Sequence, residues 1–156
     1  TKTVYGFDNW KGFTEILEED GKHYDQTHKQ VGGFSPEKYF EELLSSIDIF
    51  DKDRFIPWKP RIKLVKGNIE NKVVEFLNEL PGVRFSLLDL YQPTKKALEA
   101  IWDRVSRGGV LLFDEYAIAD WPGETQAVDE FLEDKPNLRL KTLEWTNAPA
   151  AYLIKP

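Results

Sequence analysis

GGVLLFDEYAIADWPGETQAVDEF, residues 108–131, opens with a tight Gly108-Gly109 turn and runs into four apolar residues, Val110-Leu111-Leu112-Phe113. A run this short and this apolar predicts a strand buried on both faces, as in a parallel sheet. It stops at Asp114-Glu115. Burying charge at a strand end is costly unless something pairs with it. In open α/β sheets the carboxyl ends of the strands are also where ligands sit. The two acids therefore read as ligands of something bound, a metal ion included. Solvated loop acids or helix caps would place carboxylates here too.

Working outward, Asp120-Trp121-Pro122-Gly123 leads into a helix carrying Ala127, Val128, Phe131 and Leu132. Leu138–Leu143 and Ala150–Ile154 then predict two closing strands. Upstream, Pro93 opens a helix with Ala97, Leu98, Ile101 and Val105 facing inward, after a strand Val83–Leu88 that leads to Asp89. Before that, Asn68 caps a helix with the apolar face Val73, Val74, Phe76, Leu77 and Leu80, stopped by Pro81-Gly82. Arg61–Gly67 alternates and ends in glycine, a strand and turn. Ser35 as N-cap and Pro36 in the first turn start a further helix, whose stripe Tyr39, Phe40, Leu43, Leu44 and Ile47 reads as core. Thr3–Asp8 is a strand entering a turn. Asn9–Gly33 is a polar loop holding His23 and His28, whose spacing is not that of a helical metal pair. Strand and helix alternate and a strand pair closes the chain. This predicts an α/β fold: a doubly wound, mostly parallel sheet with helices on both faces and an antiparallel C-terminal strand pair. No internal repeat or low-complexity segment is present.

At 156 residues, 41% hydrophobic and 13% aromatic, the chain reads as a single domain over 1–156 with a core of its own. Its net charge is −6, with no basic block, which argues against nucleic acid or an anionic membrane as the main partner. No apolar run is long enough to span a membrane and no signal peptide is visible. The absence of cysteine excludes disulfides and thiolate metal sites and fits a cytoplasmic enzyme. Methionine is absent as well, so a chain beginning at Thr1 is expected to be processed or part of something longer.

Asp89 and Asp114-Glu115 end strands that lie one helix apart. A right-handed crossover would bring the three carboxylates to one rim. Without a basic run beside them they ask for a hard cation such as magnesium, manganese or calcium. The alternative is one helix cap and two solvated acids. Asp8, at a strand end, suits a carboxylate accepting both hydroxyls of a ribose, or an ordinary turn aspartate. There is no P-loop and no G-x-G-x-x-G, and no Ser-His-Asp arrangement can be argued.

Five ordered motifs carry a family resemblance. Tyr5-Gly6-Phe7-Asp8-Asn9-Trp10-Lys11-Gly12-Phe13 resembles YGFD-x-F-x-GF, and Val65–Asn71 resembles the glycine turn after the next strand. Asp89-Leu90-Tyr91-Gln92-Pro93-Thr94 resembles DLYEPT. Gly108–Tyr116 resembles GGVIVFDDY, and Pro122-Gly123-Glu124-Thr125 with Ala127-Val128-Asp129 follows in step. The chain is thereby identified with the macrocin O-methyltransferase (TylF-like) family, class I methyltransferases that use S-adenosylmethionine and a divalent cation such as Mg2+. The resemblance implies methylation of a hydroxyl on a sugar, a glycoside or a similar small molecule. It implies Asp8 at the cofactor ribose and Gly67-Asn68 against its adenine. Asp114 and Glu115, with Asp89, would be metal ligands, and Asp89 a candidate general base. Tyr116 and Trp121, which follow the metal strand, would stack on a sugar face or serve as loop packing. A homo-oligomer is compatible with this reading.

The family usually reads two aspartates where this chain has Asp114-Glu115, and His-Ile-Asp-x-Asp-Leu-Tyr where it has Leu87-Leu88-Asp89-Leu90-Tyr91. Its first strand and acid–glycine cofactor loop belong ahead of Thr1. Further residues are therefore expected before Thr1 and between Leu88 and Asp89. The rival from another class is a non-catalytic binding or assembly module that keeps the fold without a working cofactor site. A nucleotide-binding oxidoreductase is opposed by the missing glycine fingerprint.

Overall fold

The computed structural model describes residues 3–21, 29–52, 60–77, 83–88, 90–145 and 151–156, with the backbone alone for 83–88. His23, His28, Leu80, Pro81, Gly82, Asp89 and Ala150 lie outside the described residues.

Strand β1 (Val4–Asp8) alternates, so Tyr5 and Phe7 share a face. Both meet Phe76 of helix α2 (Ile69–Leu77) edge-on, at ring separations of 5.0 and 5.7 Å. Strand β2 (Ile62–Lys66) lies parallel to β1, with Asp8 opposite Lys66. The Gly67 N–H donates to the Asp8 carbonyl at 2.9 Å, which brings the two strand ends level. Gly67 has φ 141°, and a Cβ there would stand 2.7 Å from the Lys72 side chain, so only glycine fits.

Helix α1 (Phe40–Lys52) starts later than the sequence suggests, after a 3-10 turn over Glu37–Tyr39. Its expected core stripe is only partly covered: Phe40 and Ile47 are half-buried, while Tyr39, Leu43 and Leu44 are exposed. The helix is anchored along one narrow line. Phe40 packs on Trp10 at 4.7 Å, and the buried Asp51 carboxylate accepts the Arg61 N–H. Among the described residues no element covers the flanks of that line.

The second half of the chain supplies β3 (Val83–Leu88), α3 (Tyr91–Ile101), β4 (Val105–Phe113), α4 (Pro122–Leu132), β5 (Lys141–Thr142) and β6 (Ala151–Ile154). The sheet order is β3-β4-β6-β5: β3 and β4 are parallel, and β4, β6 and β5 form an antiparallel trio. The fold is the expected α/β architecture, with β4 an inner strand. The closing pair forms, but β5 keeps only Lys141 and Thr142; Leu138 and Leu140 pack against the core instead. Among the described residues no strand joins β1–β2 to β3–β4.

Three details differ from the sequence reading. Gly108-Gly109 does not precede the strand but sits within it. Val83 opposes Val105 and Phe85 opposes Val110, so the residues between Val105 and Val110 bulge out, with Gly108 at φ 73°. Burial of β4 is complete on one face only. Leu111 and Phe113, beside Leu153, pack against Leu98, Ile101 and Val128, while Val110 and Leu112 on the other face are half-buried. Helix α3 starts two residues before Pro93 and ends at Ile101, so Val105, expected on its inward face, instead opens β4 after a 3-10 turn over Trp102–Arg104. Leu90 has no side chain to cap α3, and Asp20 does so from a distance: its Oδ1 accepts the Tyr91 N–H at 2.7 Å. The other oxygen accepts the Leu17 N–H at 2.9 Å, within the loop that presents Asp20.

Candidate active site

The carboxyl ends of β1, β2 and β4 open onto one cleft of about 710 Å³, lined among others by Asp8, Asn68 and Asp114. Residues far apart in sequence meet there because parallel strands end on the same rim. Asp8 is exposed, and its Oδ1 accepts the N–H of Trp10, which sits at φ 67°. It is thus a turn aspartate that also faces the cleft. Asn68 follows Gly67, and its carbonyl accepts the N–H groups of Asn71 and Lys72 as α2 begins. Gly67 is not part of this lining.

Asp114 stands out electrostatically among the described residues that line the cleft. Its Oδ1 is buried with no hydrogen-bond partner among the described residues, and burial raises its pKa above the ordinary 3.8. Glu115, half-buried, is not part of the cleft lining. Its backbone N–H donates to Glu124 Oε2 at 2.7 Å. Among the described residues no group of three or more His, Cys, Asp or Glu is arranged around a metal position. Asp89, the remaining acid of the expected set, lies outside them.

Tyr116 turns away from the cleft. Its hydroxyl donates to Asp129 Oδ1 at 2.8 Å, and burial, then Asp129, hold its pKa at about 12. Trp121 packs behind the cleft against Phe13 and Phe34, at ring separations of 5.9 and 6.4 Å, with the Lys29 ammonium 4.1 Å from its ring centre. The rings that line the cleft are Phe7, Phe13 and Phe34, of which Phe7 is packed on Phe76 of α2.

Residues 3–148 match the family model for macrocin-O-methyltransferase (TylF). The chain belongs to the macrocin-O-methyltransferase family. A crystal structure of CalS11, a calicheamicin methyltransferase, aligns with a TM-score of 0.85 at 30% identity, covering 97% of this chain and 60% of that one. An apo structure of CalS11, described as a TDP-rhamnose 3′-O-methyltransferase of calicheamicin biosynthesis, aligns with a TM-score of 0.72 at 28% identity over 97% and 57%. The O-methyltransferase NovP shares the fold, with a TM-score of 0.68 at 19% identity over 98% and 60%. This chain spans about three-fifths of each of those proteins. No curated protein sequence matches it.

Within this macrocin-O-methyltransferase framework the geometry singles out residues that the sequence reading left without a role. Phe13 closes the YGFD motif; Phe34 directly follows Gly32-Gly33, the end of the loop read as polar. The Phe13 N–H donates to the Gly33 carbonyl at 3.1 Å and the Gly32 N–H to the Phe13 carbonyl at 2.8 Å, which joins the two loops. Phe34 is 61% exposed at φ 55°, a left-handed conformation that disfavours an aromatic residue. In Pro122-Gly123-Glu124-Thr125, Pro122 takes the first helical turn, where no N–H is needed. A Cβ on Gly123 would stand 2.1 Å from Asp20 Oδ1 and 2.8 Å from the Tyr91 nitrogen. Glu124, 1% exposed, accepts from Glu115 as described, and Thr125 Oγ1 accepts the Ala117 N–H at 2.8 Å. Asp20 gave no sequence signal beyond an acidic turn ending in Gly21.

Proposed function

We propose that this chain is the site-bearing part of an S-adenosylmethionine-dependent O-methyltransferase acting on a hydroxyl of a sugar or glycoside, with a divalent cation such as Mg2+ as cofactor. The observation behind this is that Asp8, Asn68 and Asp114 line one cleft in a chain of this family. In this reading Asp8 accepts the ribose hydroxyls and Asn68 lies along the adenine. Asp114 fits a cation because its buried oxygen has no other partner among the described residues. Asp114 and Asp89 would hold the ion. Glu115 joins them only if its longer arm reaches past the turn. The cation would lower the pKa of the acceptor hydroxyl. Asp89 takes the proton of that hydroxyl as general base, and the cleft walls fix the acceptor in line with the methyl group.

The acceptor-facing aromatic surface is assigned to Phe34 and Phe13, with Trp121 as their backing. Tyr116 is occupied by Asp129.

The test is turnover against magnesium concentration in the full-length protein. Asp114→Asn is expected to raise the magnesium requirement and to be partly rescued by excess ion. Asp89→Asn is expected to reduce turnover by ~100-fold or more even at saturating magnesium, because excess ion can refill the site but cannot replace the proton acceptor. Full activity of the EDTA-treated wild type would remove the cation from the scheme. Failure of the full-length protein to bind S-adenosylhomocysteine at millimolar concentration in calorimetry would leave the non-catalytic module as the reading.

A further inference from the structure

The turn between β4 and α4 carries Asp114 and Glu115, and its backbone closes on itself only beyond them, through the Ile118 N–H to the Glu115 carbonyl and the Trp121 N–H to the Ile118 carbonyl, each at 3.0 Å. Ala117 sits at φ 64°, a left-handed conformation that an alanine seldom adopts unless its surroundings impose it. Two backbone N–H groups of this turn, those of Glu115 and Ala117, point toward the start of α4. Each is received there by a side chain, Glu124 Oε2 at 2.7 Å and Thr125 Oγ1 at 2.8 Å. Glu124 is 1% exposed, and Gly123 beneath it has no room for a Cβ against Asp20 and Tyr91. Asp20 in turn receives the first N–H of α3. The first turn of α4 is therefore seated on α3 before it reaches out to the Asp114 turn.

We propose that Glu124 and Thr125 are positioning residues for the cation site: by accepting the Glu115 and Ala117 N–H groups they fix the turn so that Asp114 faces the cleft. The inference rests on the cation reading above and goes beyond it, because neither residue touches the ion. Outer-shell groups that hydrogen-bond metal ligands typically change metal affinity by ~10–100-fold when removed, and Glu124 and Thr125 orient the ligand-bearing turn through its backbone in the same manner. The acceptor atom matters here more than the charge, so glutamine at position 124 should still serve.

The experiment is Mn2+ binding to the full-length protein in the presence of S-adenosylhomocysteine, followed by electron paramagnetic resonance and calorimetry, with thermal midpoints alongside. Glu124→Ala should raise the Mn2+ dissociation constant by ~10-fold or more. Glu124→Gln should stay within about threefold of wild type, since its amide oxygen replaces the acceptor. Thr125→Val should weaken binding by several-fold, and Thr125→Ser should restore it, which keeps the proposal testable if Glu124→Ala does not fold. S-adenosylhomocysteine affinity should be unchanged throughout. A folded Glu124→Ala with wild-type Mn2+ affinity and only a lower thermal midpoint would overturn the proposal, as would a Gln variant as impaired as Ala. A wild-type protein that binds S-adenosylhomocysteine and no Mn2+ would overturn the cation reading and this inference together.

Discussion

Asp114 keeps one carboxylate oxygen buried without a partner among the described residues, and burial raises its pKa. A carboxyl whose folded pKa is raised binds protons more readily when folded. Its presence therefore lowers stability as pH rises from 3.8 through the folded value, and the penalty persists at neutral pH. Asp114→Asn is thus expected to raise the thermal midpoint of the cation-free protein at pH 7, with the gain shrinking toward pH 3. A midpoint lowered at pH 7, measured in EDTA, would contradict this. Phe34 offers a second case in which function and stability diverge. Phe34→Gly relieves left-handed strain of about 1–2 kcal/mol, against the loss of the ring contacts to Phe13 and Trp121. The thermal midpoint should stay at or above wild type. If an acceptor ring hides ~40 Å² of apolar surface on Phe34, its KM should rise roughly fivefold at ~25 cal/mol/Å². A lower midpoint with unchanged KM would show a ring placed for packing alone.

Helices α3 and α4 begin side by side, and the seat between them is built from Asp20, Tyr91 and Gly123. Asp20→Ala leaves the Tyr91 and Leu17 N–H groups without their acceptor and should lower stability by about 2 kcal/mol. Gly123→Ala forces a Cβ into the same carboxylate. Both changes destroy one contact, so the double variant should be less destabilised than the sum by about 1 kcal/mol or more; strict additivity in urea titrations would separate the two sites. This seat also shows where sequence reading stops. The β4 strand follows from its apolar run and the stripes of α3 and α4, Val105 apart, from periodicity, because their burial is a property of each segment alone. Asp114 was legible for the same reason, as an acid ending an apolar run. The cap of α3 comes from a residue 71 positions away, and the aromatic pair Phe13–Phe34 forms only when two loops meet. The exposed stripe of α1 was misread because its apolar spacing says that a face exists, not that something covers it.

On the scale of the molecule, one acid-sensitive cluster among the described residues lies where α3 and α4 meet. Lys95 donates to Glu130 at 2.7 Å and to the Tyr91 hydroxyl at 2.9 Å. Tyr91 donates to Glu130 as well, and so does Gln126. The Lys95 bond first, then those from Gln126 and Tyr91, bring the Glu130 pKa from 4.5 down to about 2, while Glu130 raises that of Lys95. A depressed carboxyl contributes stability above its unfolded pKa and loses it as pH falls through the folded one. Thermal midpoints should therefore fall as pH drops from about 4.5 to about 2, the window set by these values. Glu130→Gln should flatten that part of the profile, and an unchanged profile would place the acid transition elsewhere. A different use follows from the bulge in β4. Beyond it, Val110 to Phe113 are held in register by β3 on one side and β6 on the other, so changes at the exposed Arg107 stay local. The 156 residues contain no cysteine. Arg107→Cys would give them a single thiol about seven strand residues, ~20 Å at ~3.3 Å each, from Asp114. An optical or spin label there would report distances to whatever enters the cleft without touching its walls.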